Sequence, residues 1–189
     1  MSYKAHTEKT ALVDWIEEQE SSVFGTLKFT NGADVTDEHG ERTVRAYFNA
    51  LDRAYFGHAV ENVGMRHKRI VLRHTGICST NLHYHFLAKP LTDADLFIEL
   101  AKKQWGKMSG WTMAAEETQI ERVRSTKATA AYILHEYSKQ HADCLCLSAC
   151  SLQPAPRPAT QYRNLSQTRR LLRLQAQGVH EDCKTAALA

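Results

Sequence analysis

Two strand-like segments flanking one connection constrain this chain's fold more than any other feature. Lys68 to His74 carries the apolar trio Ile70-Val71-Leu72, and Leu82 to Lys89 is again strand-like until Pro90 breaks it. The connection between them bears Gly, Ser, Thr and Asn, so the economical reading is a β-hairpin. Another strand is expected over Val23 to Thr30. There Val23, Leu27 and Phe29 share one face, Thr26, Lys28 and Thr30 share the other, and Asn31-Gly32 supplies a turn. Gly110 to Met113 and Gln119 to Val123 read as short strands.

Helical spacing fills the intervals. Ala11, Leu12, Trp15 and Ile16 mark an amphipathic helix over residues 7–20, and Val44, Phe48, Leu51 and Tyr55 mark a second that stops at Gly57. Thr92-Asp93-Ala94-Asp95 opens a third through Leu96, Phe97, Leu100 and Trp105, and Lys102, Lys103 and Lys107 suit its C-terminal dipole. Thr126 is expected to cap a fourth, with Ala130, Ile133, Leu134 and Tyr137 as its apolar stripe. The order predicts an α+β fold, an antiparallel sheet with helices packed on one face.

Composition agrees with one ordinary globular domain: of 189 residues, 43% are hydrophobic and 24% charged, with 9 Gly and 4 Pro. That excludes collagen, solenoid and disordered classes, and no apolar run approaches the roughly 20 residues of a membrane span. The N-terminal stretch is polar and acidic where a secretory signal needs a basic patch and an apolar core, so a cytoplasmic setting is expected. The five cysteines (Cys78, Cys144, Cys146, Cys150 and Cys183) lack the even spacing of a disulfide framework and read as free thiols. Net charge is +3, carried by the region beyond residue 141, where six basic residues face three acidic ones. Composition changes there too, so residues 1–143 are read as the folded domain. Residues 144–189 are read as a Cys- and Pro-containing linker with a basic tail.

The chemistry-bearing residues begin with His83-Tyr84-His85. Strand period places both imidazoles on one face, half of a metal site or a pair of surface histidines. His74, ending the preceding strand, can face them across the hairpin as third ligand, with Glu121 as the fallback. On the last helix Tyr132 and Glu136 share a face with His135 alongside, and Tyr137 lies about 140° further round. One tyrosine can face a site while the other packs, or both can be core aromatics. A tyrosine accepts a phosphoryl group usefully only where a metal or cation stabilises the developing charge.

In this order, Phe24-Gly-Thr-Leu-Lys-Phe29, Leu82-His-Tyr-His-Phe-Leu87 and Ala131-Tyr-Ile-Leu-His-Glu-Tyr-Ser-Lys139 resemble the HUH endonuclease superfamily, in particular phage and plasmid rolling-circle replication initiators. The likeness covers about residues 22–140. It implies an antiparallel sheet with flanking helices, ferredoxin-like or RRM-like, and a divalent metal, Mg²⁺ or Mn²⁺, held by His83 and His85. It also implies a helix tyrosine that attacks single-stranded DNA to leave a 5′-phosphotyrosine and a free 3′-hydroxyl. By position Tyr132 matches the nucleophile. The lysine often found three residues on is replaced by His135, and Lys139 follows Glu136 by three, so Tyr137 is a second candidate. A glutamate that often precedes the histidine pair is absent, with Arg73 and His74 standing in its place. His135 or Lys139 would steady the phenolate or the leaving oxygen.

DNA contacts are expected from Arg66, His67, Lys68, Arg69 and Arg73 at the rim of that site and from Lys102, Lys103 and Lys107, with Trp105 and Trp111 as stacking surfaces. The first function expected is therefore a metal-dependent nickase and strand transferase that initiates replication of a small plasmid or phage, with a host helicase as partner because this length leaves no room for a helicase domain. The alternatives are an HUH transposase, a catalytically impaired DNA-binding regulator of the same fold, and a small zinc-stabilised protein built on Cys144, Cys146, Cys150 and His141.

Overall fold

The computed structural model describes residues 3–152 apart from 77–80, 92, 109 and 111. Cys78, Trp111, Cys183, the proline-rich segment and the basic tail lie outside the described residues. The chain runs α1 (Tyr3–Glu17), β1 (Val23–Lys28), α2 (Asp37–Phe56), α3 (Ala59–Val63), β2 (Lys68–His74), β3 (His83–Lys89) and α4 (Ala94–Gly106). It continues through a 3₁₀ turn (Ala115–Glu117), β4 (Ile120–Arg122), α5 (Thr126–Ile133), α6 (Tyr137–Gln140) and a second 3₁₀ turn (His141–Cys144). Among these, no helix is long and apolar enough to cross a membrane.

The four strands form one antiparallel sheet in the order β2-β3-β1-β4. The hairpin is present, pairing Lys68 with Lys89 at one end and His74 with His83 at the other. β1 inserts between the hairpin and β4, pairing Thr26 with His85 and Lys28 with His83 on one side and Phe24 with Glu121 on the other. The α+β class is as expected, but the helices cover both faces of the sheet. Val23, Leu27, Val71, Tyr84, Phe86 and Ile120 pack under α2 and α4 with Tyr47, Phe48 and Trp105. Phe24, Ile70, Leu72 and Leu87 pack under α1 and α5 with Val13, Ile16 and Ile133. A sheet that is apolar on both faces requires both covers, and the strand alternation carries apolar residues to each.

Local chemistry sets the helix ends. Thr36 caps α2 by accepting from the His39 amide, and Asp93 caps α4 by accepting from Asp95 and Leu96. The cap of α5 is Ser125, whose hydroxyl accepts from the Ala128 amide, rather than Thr126. This helix also stops at Ile133, short of Tyr137. The His135 amide bonds the Tyr132 carbonyl and the Tyr137 amide the Leu134 carbonyl, a 3₁₀ tightening that separates α5 from α6. Gly110 to Met113 makes no strand among its described residues. Thr112 contributes only an isolated bridge to Phe29.

The packed unit extends past residue 143. Arg69 and Ser151 exchange backbone hydrogen bonds of 2.8 and 2.9 Å, and the Cys146 amide donates to Val71 at 2.9 Å. Residues 145–151 thus cover the outer edge of β2. Cys144, Cys146 and Ala149 are buried while Leu147 and Leu152 are exposed, so core packing continues past the change of composition at 144 as far as Ala149.

Candidate metal centre and its tyrosine

The sheet register builds the centre. His74 ends β2 opposite His83, which starts β3, and His85 lies two residues further along the same face. One ring nitrogen from each lies within 4.8 Å of the others, with ring centroids 5.4 Å (His74 and His83), 4.6 Å (His74 and His85) and 5.0 Å (His83 and His85) apart. Neighbours fix the rings. His83 Nδ1 donates to the Asn81 carbonyl at 2.7 Å, leaving Nε2 as the lone-pair nitrogen. His85 Nδ1 is bonded to the Thr26 hydroxyl at 3.0 Å, and its buried Nε2 has no partner. The Ile133 carbonyl beside His74 raises its pKa, but neither ring nitrogen makes a well-formed hydrogen bond.

Electrostatics keep these imidazoles neutral. Burial, helped by the charges of His74, His83, His135 and Lys28, pushes His85 down to about 2. Burial also lowers His74, to about 4, against the pull of Glu136, and it lowers His83. Three neutral imidazoles converging on unpartnered nitrogens fit a divalent metal. This donor set suits a borderline transition ion better than Mg²⁺, which prefers oxygen ligands.

Two further groups lie on the turn between α5 and α6. His135 is half exposed, and its Nδ1 donates to the Tyr132 carbonyl at 2.7 Å. Glu136 is buried. Its Oε2 accepts from the Thr75 amide at 3.0 Å, and its Oε1 lies 3.7 Å from His135 Nε2. Burial raises the pKa of this carboxyl, but the Thr75 amide and the charges of His74, His135 and Lys139 outweigh it and hold the group below its ordinary value. His74, His135 and Glu136 likewise bring ligand atoms within 4.8 Å of one another.

The two tyrosines are in different surroundings. Tyr132 is 56% exposed, with its ring edge-on to His85 at 5.6 Å and tilted against His135 at 5.5 Å. Tyr137 is buried, and its hydroxyl donates to Glu8 Oε2 on α1 at 3.4 Å. Lys139 sits at the rim, donating to the Gly76 carbonyl at 3.4 Å. Glu121 is exposed, bonded by Gln119, and outside the histidine group. Neither a ligand role for Glu136 nor the approach of Lys28 to the site is legible in the sequence. The signal for Lys28 is its place on the polar face of β1, which acquires meaning only once β1 pairs with β3.

The basic run ahead of the histidines does not gather at their rim. Lys68 begins β2, six residues and roughly 20 Å of strand from His74. Arg69 is 5% exposed, lies over the Phe48 ring and pairs with buried Asp52 at 2.8 Å. Arg66 approaches the same carboxylate at 3.8 Å. Arg73 points to the other face of the sheet and bonds Asp37 at 2.6 Å. His67 is buried among Tyr55, Phe56 and Phe97. Trp105, expected as a stacking surface, is fully buried and donates to the Lys28 carbonyl at 3.2 Å. Lys102, Lys103 and Lys107 line an open groove of about 490 Å³ together with Glu99 and Glu116. No cysteine enters a metal-ligating group among the described residues. Burial pushes the Cys144 and Cys150 thiols up to about 11, where they are protonated.

Comparison with protein-family models, with curated proteins and with solved structures finds no match.

Proposed function

We propose that this chain is a metal-dependent nuclease of the HUH type that cleaves single-stranded DNA through a tyrosyl phosphodiester. The observation that carries this reading is the exposed Tyr132 ring, edge-on to His85 of a buried three-histidine cluster. His74, His83 and His85 would hold the metal, which when bound polarises a phosphate oxygen and offsets charge developing on phosphorus. Tyr132 Oη gives up its proton to solvent and forms the bond to phosphorus, the bond to the 3′ oxygen breaks, and that oxygen takes up a proton from solvent and leaves as a hydroxyl. His135, beside the tyrosine, or Lys139, at the rim, would steady the phenolate or the leaving oxygen. In the family it resembles, this chemistry starts rolling-circle replication, and we extend the proposal to that role, with a host helicase as partner.

The test is incubation with a pool of labelled single-stranded oligonucleotides that includes the origin region of the encoding element, with Mn²⁺, read as a covalent adduct on a denaturing gel. The adduct should vanish with EDTA and with Tyr132→Phe and persist in Tyr137→Phe. His83→Ala should lower it by about two orders of magnitude, the scale of losing a preorganised electrostatic group. No adduct from any oligonucleotide, or an adduct that survives Tyr132→Phe, would overturn the proposal.

A further inference from the structure

His74 belongs to two converging donor sets. On one side stand His83 and His85 of the sheet, and on the other His135 and Glu136 of the turn between α5 and α6. The second set has the composition of a two-histidine, one-carboxylate metal site. Its members are prepared for that use. His74 is fully buried with neither ring nitrogen hydrogen-bonded, and the Tyr132 carbonyl holds His135 Nδ1 so that Nε2 faces Glu136. The Thr75 amide anchors one oxygen of Glu136, and the other lies 3.7 Å from His135 Nε2, beyond hydrogen-bond length and within the span of a shared ion. A neutral imidazole offers one lone pair, so His74 serves one ion at a time.

We infer that the cluster is a two-seat site for a single divalent transition ion. One seat is His74, His83 and His85 on the sheet, and the other is His74, His135 and Glu136, the last two on the turn after α5. The shared histidine makes the seats mutually exclusive. Movement between them carries the ion from the sheet to the turn that follows the tyrosine's helix. This inference rests on the reading of the cluster as a metal centre and is independent of DNA cleavage, since a nickase using only the sheet seat would still form its adduct.

The test is titration of the full chain with Co²⁺ under reducing conditions, without DNA, reading stoichiometry by calorimetry and coordination by visible absorption. Wild type should bind one equivalent. His83→Ala/His85→Ala should also bind one, with a spectrum unlike that of His135→Ala/Glu136→Gln, which keeps the sheet seat. His74→Ala should weaken binding by more than about 100-fold, beyond the usual effect of an outer-shell change. The variant with His83, His85 and His135 changed to Ala and Glu136 to Gln supplies the baseline for ion held by thiols, and circular dichroism confirms folding. If His74→Ala does not fold, the two double variants still decide. No binding above baseline by His83→Ala/His85→Ala, or two equivalents bound by wild type, would overturn the inference.

Discussion

At the scale of single residues, a buried imidazole is a stability device whose sign follows from its surroundings. His67 lies among Tyr55, Phe56 and Phe97, with ring centroids 4.6 to 4.9 Å away, and neither ring nitrogen has a hydrogen bond. Burial first, and the Arg69 charge second, pushes its pKa from 6.5 down to about 3. On acidification the unfolded chain takes up the proton first while the native ring stays neutral. The stabilisation is therefore complete above pH 6.5 and is lost as pH falls toward 3, at up to about 1.4 kcal/mol per pH unit. His74 and His85 act in the same direction. Urea unfolding of metal-free protein at pH 7, 6, 5 and 4 should show falling stability, and His67→Leu should reduce that slope without abolishing it. A slope unchanged by His67→Leu would refute this assignment.

At the scale of elements, the middle of the sheet depends on one absent side chain. Gly25 of β1 pairs with Phe86 of β3, and a Cβ at Gly25 would lie 2.2 Å from the Phe86 ring. Gly25→Ala should therefore cost about 1–3 kcal/mol by overpacking, read from the denaturation midpoint. Phe86→Leu in the same chain should recover part of that loss, which a double-mutant cycle measures. An additive result would show that the two positions do not meet. The same sheet shows what the sequence made legible. The hairpin and the opposed faces of β1 follow from period-two patterning, and His74 facing His83 follows from the hairpin. The insertion of β1 beside β3 does not follow, because strand order is a tertiary choice, and Lys28 and Thr26 reach the histidines only through it. The apolar stripe continues unbroken through Tyr137, so local periodicity reads one helix. The Thr75 bond to Glu136 and the tightening after Ile133 are supplied by the rest of the fold. The basic run from Arg66 to Arg73 reads in sequence as a DNA-contacting rim. Alternation sends Arg69 and Arg73 to the α2 face, where Asp52 and Asp37 meet them.

For the whole molecule, β2 is an edge strand of the sheet, and that strand carries His74. Its partner on the outer edge is the segment 145–151, which bonds Arg69 and Val71 along the backbone. The same segment gives Arg69 Nε the Ala149 carbonyl at 2.9 Å. Cutting the chain after residue 143 would leave that buried guanidinium short of an acceptor, at about 1–3 kcal/mol. It would also uncover a strand edge able to pair with another copy. A chain ending at 143 should therefore unfold at lower urea than one ending at 152, and light scattering should show more self-association. Because Leu72 bridges Leu145 two residues before His74, the shorter chain should also bind Co²⁺ more weakly. Equal midpoints and equal Co²⁺ affinity would mean that the segment only decorates the sheet. Unequal ones would make residues 144–152 part of the unit that holds the metal centre in shape.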